Sequence, residues 1–334
     1  MKTSIGVLIL ALCAGCTMAA PYRGAHFGDV MGSPSASRAG MIAFAADRID
    51  QSKGPFNEIS CANCHGVPSL GGTQTDWHDF VILTNVAGHP MPYPRYTVVH
   101  GMVKIRPLPG WYFLRRPQPL YGIGLLQAVP VSELRRVAAE EPARQRGRLA
   151  VLPNGSVGRF GWKGDVPTAR QFVETAFAGE TGVPHAKDIP AVTSYLMHLA
   201  PPPRGAQHAD REGQALFGQI GCAECHRPTL RIGSFAPMPA LDGRLIDPYS
   251  DELLHDMGRA EADVPRGAAG ASEFVTAPLW GVARIGPPYM HDGRATSLQQ
   301  AIVSHGGQAA DSVRNDRALT AQERAALLRF LQSL

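Results

Sequence analysis

Four of the six cysteines lie in two copies of one pentapeptide frame, Cys61-Ala62-Asn63-Cys64-His65 and Cys222-Ala223-Glu224-Cys225-His226. In Cys-x-x-Cys-His two thiols share one helical turn and the next residue carries an imidazole. That is the arrangement that attaches a c-type haem through its two vinyl groups and offers its iron a ligand. Three other readings fail. Zinc sites built from two such pairs space them about 12–20 residues apart, whereas Cys222 follows Cys64 by 158 residues. A thioredoxin-like redox pair needs neither the trailing His nor a second copy. A disulfide across so tight a loop would be strained. The residues therefore predict two covalently bound c-type haems, with Cys61, Cys64, Cys222 and Cys225 as attachment points and His65 and His226 as proximal iron ligands.

The other two cysteines, Cys13 and Cys16, belong to the N-terminus. There Lys2 precedes an apolar run from Ile5 to Ala14. A short positive segment followed by about ten apolar residues reads as a secretory signal over 1–20, too short for a membrane span. Two cleavage readings stay open. Leu12-Cys13-Ala14-Gly15-Cys16 resembles a lipobox, which would leave a lipidated Cys16 and an outer-membrane-anchored lipoprotein. Ordinary cleavage near Ala19 or Ala20 would leave a soluble periplasmic protein. No other stretch approaches 18 apolar residues. The net charge of +4 is small and spread along the chain, which excludes a dedicated nucleic-acid binder.

The 334 residues suit about two domains. With 36 Gly and 28 Pro, long loops between short helices are expected. Residues 21 to about 55 read as an extended arm with one helix near Ala39–Ile49, and the segment after the first motif as a loop. Helical patterning covers Ser132 to about Arg148, Pro167–Ala178, Asp188–Ala200, Ala209–Gln219 and Thr320–Leu334, and no strand-period run stands out. Pro201-Pro202-Pro203 ends a helix and marks a boundary. The expected fold is mainly α, two cytochrome c-like haem domains with long loops, over 21–200 and 205–334.

Longer stretches carry a resemblance across nearly the whole chain: Leu120-Tyr121-Gly122-Ile123-Gly124, Gly158-Arg159-Phe160-Gly161-Trp162-Lys163, Tyr249-Ser250-Asp251-Glu252-Leu253-Leu254-His255-Asp256-Met257-Gly258, and Tyr289-Met290-His291-Asp292-Gly293-Arg294-Ala295. Together they resemble the di-haem c-type oxidoreductase family, whose members carry peroxidase and thiol-oxidoreductase labels. That family is related to bacterial di-haem cytochrome c peroxidases and to the enzyme that matures methylamine dehydrogenase. The resemblance implies one six-coordinate haem that receives single electrons and a second that opens a position to peroxide. It maps the Trp between the haems to Trp162, and the Gln and Glu above the open iron to Gln171 and Glu180, with each interval off by one residue. It places a ligand of the C-terminal haem fourteen residues past His291, at His305, which makes that haem bis-His with His226. Met290 and Met257 are the sulfur alternatives. His291 and Arg294 would brace the haem or its propionates, and His255 and Asp256 would support it. The resemblance also implies a calcium ion between the domains, at a position where the relatives' Thr aligns with Gly286.

The expected function is an exported, peroxidase-like di-haem oxidoreductase. Electrons from a small periplasmic donor, a cytochrome c or copper protein, pass through the C-terminal haem to the N-terminal haem, where peroxide or another oxidant is reduced. A homodimer is among the expected assemblies. Two alternatives differ in class: a non-catalytic electron-transfer or redox-sensing cytochrome, motivated by His78, His89 and His100, and an oxidase of a protein partner.

Overall fold

The computed structural model describes residues 23–334, apart from 25, 27, 33, 47–59, 77–80, 87–88, 93–95, 100–101, 108, 111, 180–185 and 206–209. The leader with Cys13 and Cys16, and the candidate residues His78, His100 and Glu180, lie outside the described residues.

In chain order the first half contains α1 (Pro34–Ala45), α2 (Cys61–Cys64), β1 (Val81–Val86), β2 (His89–Pro92), β3 (Tyr96–Val99), β4 (Met102–Ile105), β5 (Phe113–Arg115), α3 (Ile123–Gln127), α4 (Val131–Glu140), β6 (Ala150–Val151), β7 (Val157–Gly158), α5 (Ala169–Gly179) and α6 (Ile189–His198). The second half continues with α7 (Arg211–Gln219), α8 (Cys222–Cys225), β8 (Leu230–Arg231), β9 (Leu245–Ile246), β10 (Leu254–Asp256), β11 (Glu273–Val275), α9 (Val282–Ile285), α10 (Leu298–Ser304), α11 (Ala310–Ala318) and α12 (Ala321–Ser333). The fold is mainly α.

Each Cys-x-x-Cys-His motif forms one helical turn beside a pair of crossing helices. In the first half α1 crosses α6. A Cβ at Gly40 would sit on the Ala191 carbonyl, so only glycine lets the backbones meet that closely. In the second half α7 crosses α12, and Gly213 meets the Ala326 carbonyl in the same way. The terminal helix starts where its sequence signals a capping box: the Thr320 hydroxyl accepts from the Glu323 amide and the Glu323 carboxylate accepts from the Thr320 amide.

The helix expected over 132–148 stops at Glu140, because Pro142 cannot donate to the ladder and restricts the residue before it. The first helix lies over Pro34–Ala45 rather than 39–49. The absence of strands is corrected. β1 pairs with β2 and β5 in a three-stranded antiparallel sheet, and β3–β4 form a hairpin. The β-branched residues of Val81–Val86 and Tyr96–Val99 carried that signal, but His, Pro and Gly between them mask a clean alternation.

One apolar core runs from Met31 and Phe44 through Leu125, Leu134 and Leu196 to Leu230, Phe235, Leu253 and Trp280, so it draws on both sides of the proline triplet. A second, smaller core gathers Phe217, Tyr249, Leu327 and Phe330 around α7 and α12. No described helix is long and apolar enough to cross a membrane.

Candidate functional site

The second motif opens onto an apolar cavity of about 250 Å³. Its walls carry Cys222, Cys225, His226 and His305, together with Trp162 and His291. His226 follows α8, and its Nδ1 lies 3.0 Å from the Tyr249 carbonyl. His305 caps the C-terminus of α10, with Nδ1 2.7 Å from the Ala301 carbonyl. Each Nδ1 thus donates to a backbone oxygen, which fixes the tautomer and leaves Nε2 with a lone pair. The two ring centroids are 6.3 Å apart, at an interplanar angle of 62°. Two axial bonds of roughly 2 Å, plus about 1 Å from each nitrogen to its ring centre, require about 6 Å. The pair is spaced for one iron between them. Burial, and then the neighbouring His305 ring, push His226 down to about 4, so its imidazole stays neutral.

Burial also pushes the Cys222 thiol up to about 12, the reverse of what a zinc thiolate or a redox nucleophile needs. None of the four motif cysteines is in a disulfide. Met257 and Met290 line the same cavity. Met290 sits in the left-handed region with φ of 72°.

At the first motif, the His65 Nδ1 lies 3.0 Å from the Gly72 carbonyl, and burial pushes its pKa down to about 4. Phe44 stands 6.4 Å from its ring. The Gln118 backbone also lies beside the His65 ring. Two residues earlier the Arg116 carbonyl accepts the Trp162 indole N–H at 2.8 Å. Trp162 lines both the large cavity and a smaller one of about 80 Å³ walled by Gln118 and Tyr121. The 116–118 segment and Trp162 therefore join the surroundings of His65 to those of His226.

His291 is buried at the large cavity, 4.3 Å from the Phe274 ring and 6.3 Å from that of Trp162. Arg294 is exposed and pairs with Glu261 at 2.7 Å and Asp292 at 2.6 Å, so its guanidinium braces carboxylates of the chain itself. Gln171 is corrected by the fold. It is exposed in the first turn of α5, where its Oε1 accepts from Thr168 and its amide donates to the Thr168 hydroxyl. Thr168-x-x-Gln171 is a helix-start signature, and it lines neither cavity. Asp256 is likewise exposed, accepting from the Gly258 amide. The implied calcium fares no better. The Arg116 guanidinium donates to the Gly286 carbonyl at 3.0 Å, putting a fixed positive charge where a cation would draw on that oxygen.

Two buried groups of charges flank these cavities without an obvious mark in the sequence. Lys163, wholly buried, pairs with Asp263 at 2.9 Å, donates to the Ala271 carbonyl at 2.7 Å and that of Glu273 at 2.8 Å, and lies 3.5 Å over the Phe274 ring. Glu252 pairs with Arg159 at 3.0 Å, and burial pushes its carboxyl up to about 7 despite that partner. A carboxyl raised from 4.5 holds a proton in the folded state that the unfolded chain has lost. Its contribution is complete below pH 4.5 and disappears as pH rises through 7. Stability should therefore fall across that window by at most about 1.4 kcal/mol per pH unit. Glu252→Gln should flatten this part of the profile in denaturant titrations at several pH values, and an unchanged slope would assign the dependence to other groups.

Residues 185–334 match the family described as "Di-haem oxidoreductase, putative peroxidase". No curated protein matches the sequence. Among solved structures, Kuenenia stuttgartiensis hydrazine synthase pressurised with 20 bar xenon is similar at 18% identity and a TM-score of 0.52, over 99% of this chain and 100% of that one. A MauG-like protein associated with microbial copper homeostasis is 16% identical with a TM-score of 0.46, covering 93% of each chain. The diheme peroxidase BthA from Burkholderia thailandensis E264 is 14% identical with a TM-score of 0.46, over 92% of this chain and 87% of that one. The first of these likenesses shows a shared fold; the family match reaches further, because it covers the second motif, the 249–258 stretch and His305. Over residues 185–334 the chain is thus similar to the di-haem oxidoreductases, a peroxidase-like class of enzymes.

Proposed function

We propose that this protein is exported to the periplasm and passes electrons from a small donor protein through the C-terminal haem to the N-terminal haem, where peroxide is reduced. The observation that carries the reading is the His226–His305 pair, two tautomer-fixed imidazoles 6.3 Å apart across an apolar cavity. A haem held there by both imidazoles would exchange electrons without binding substrate, which suits the arrival point. Each haem, tethered by thioethers at Cys61 and Cys64 or at Cys222 and Cys225, supplies one-electron chemistry at its iron.

The chain does the rest. Carbonyls of Tyr249 and Ala301 orient the two ligand rings. Phe217, Leu298 and Ile302 keep water from the cavity. Trp162, held by the Arg116 carbonyl, spans the gap between the two motif surroundings. Glu180, next in sequence after α5, is the carboxyl proposed to move the proton between the peroxide oxygens.

The test is electron paramagnetic resonance of the ferric and half-reduced holoprotein, with peroxide turnover measured beside it. One low-spin bis-imidazole signal, one high-spin signal and turnover are expected. Two low-spin signals in both oxidation states and no turnover would support a non-catalytic cytochrome instead. Trp162→Phe should slow electron equilibration between the haems about tenfold, a barrier rise of about 1.4 kcal/mol. Rapid-mixing absorbance reads this directly, and an unchanged rate would remove Trp162 from the path.

A further inference from the structure

Beside the second haem site, starting at its Cys225 attachment sulfur, lies a buried chain of polar groups, of which His255, Asp251 and Glu141 are left unused by electron transfer as described above. The Cys225 Sγ is 3.4 Å from the His255 Nδ1, and the His255 Nε2 is 2.8 Å from the Asp251 Oδ2. Behind Asp251 stands Glu141, 2% exposed. The Glu141 Oε2 accepts from the Gly147 amide at 2.7 Å, while its Oε1 is buried with no hydrogen-bond donor. His255 and Cys225 line the haem cavity; Glu141 is the last buried residue before the exposed stretch Pro142–Arg144. The chain thus runs from the cavity wall to just beneath the solvent.

We propose that Glu141 is a redox-linked proton site: it takes up a proton from solvent when an electron reaches the second haem, and releases it on oxidation. The inference rests on the functional reading above, in which that haem receives single electrons. Electrons and charges balance simply. A one-electron reductant supplies the electron to the iron, water supplies the proton, and the new bond is O–H on the Glu141 carboxylate. No bond to the iron changes.

The physical cause is electrostatic. Glu141 faces Asp251, His255, the Cys225 sulfur and the Gly147 amide; from its own loop Arg146 contributes a guanidinium hydrogen bond to the Glu141 backbone carbonyl. Asp251 and His255 are committed to each other. Although burial works against it, the hydrogen bond that His255 donates to Asp251 raises the imidazole above its ordinary value, so the ring stays protonated beside that carboxylate. Two carboxyls together cannot both ionise cheaply in a buried site. Burial, then the Asp251 charge, push the Glu141 carboxyl well above the ordinary carboxylate range. An added negative charge at the neighbouring iron favours the protonated form further.

The experiment is a spectroelectrochemical titration of the holoprotein between pH 6 and 10, reading the low-spin C-terminal haem, for the parent and Glu141→Gln. In the parent, the reduced-to-oxidised ratio at fixed ambient potential should fall tenfold per pH unit within the window, which is about 59 mV for one electron. In Glu141→Gln that dependence should vanish while the spectrum stays low-spin. Redox-difference infrared gives a second reading, since a carboxylic-acid carbonyl band should grow on reduction and be missing in E141Q. Asp251→Asn should move the window to lower pH, because Glu141 then ionises more easily. A dependence that survives in E141Q, or a parent potential flat in pH, overturns the proposal and leaves the di-haem reading intact. Absence of the low-spin bis-imidazole signal would instead overturn that reading.

Discussion

Replacing His305 by alanine should convert the C-terminal haem from low-spin to high-spin, the largest spectroscopic change any single side chain outside the two motifs is expected to cause. In the proposed site His305 would supply one ligand nitrogen, and its ring centroid stands 6.3 Å from that of His226. Its removal opens a coordination position in an apolar cavity where no other imidazole faces His226 at that spacing among the described residues. Azide or carbon monoxide should then bind a haem that excluded them. The fold should tolerate the change, because His305 is half-buried and its loss removes one hydrogen bond, to Ala301, worth about 1 kcal/mol. His305→Met separates ligand identity from ligand loss. Two imidazoles favour ferric iron more than a His–Met pair does, so the potential should rise by on the order of 100 mV within the roughly 0.8 V that axial ligands command. An unchanged low-spin spectrum in H305A would show that another group, Met257 or Met290, is the true ligand.

Lys163→Met should be the most destabilising of the substitutions considered, by about 3 kcal/mol, because it removes the cation from a buried network and leaves its partners unmatched. Lys163 is wholly buried against Asp263, three backbone carbonyls and the face of Phe274. Methionine conserves the volume but donates nothing, so the carbonyls of Gly270, Ala271 and Glu273 lose a buried donor. Asp263 keeps Arg115, at 2.8 Å, with the His291 Nε2 4.0 Å away. That second partner is why the loss should stay near the lower end for broken buried pairs, about 3–5 kcal/mol. The effect should reach the cavity, since Phe274 stacks on His291, which faces Trp162. Denaturant unfolding of the holoprotein should show a lower midpoint at unchanged m. A loss under about 1 kcal/mol would mean that water replaces the ammonium in that niche.

Several features could be read along the chain, and each is local. The motif histidines follow their cysteines directly, the capping box spans Thr320 to Glu323, and the proline triplet interrupts a helix where it stands. His305 came into view by its distance from His291. Gln171 shows the limit of such reasoning. The interval suggested a haem-facing amide, yet Thr168 three residues before it already spelled a helix start. The strands of 81–105 were obscured because a three-stranded sheet with β5 needs partners outside the window that periodicity inspects.

By itself the sequence pointed to two haem-attachment motifs, each with its adjoining histidine, and to a mainly helical scaffold, because those depend on side chains within one or two helical turns. Only the tertiary structure decided that His305 faces His226, that Trp162 touches the surroundings of both motifs, that Arg294 serves carboxylates of the chain and that Glu141 is buried beside Asp251. Lys163 and Asp263 are 100 residues apart, and Glu141 and Asp251 are 110 apart. The energy of a buried charge depends on which groups surround it in space, and no periodicity along the chain encodes that neighbourhood.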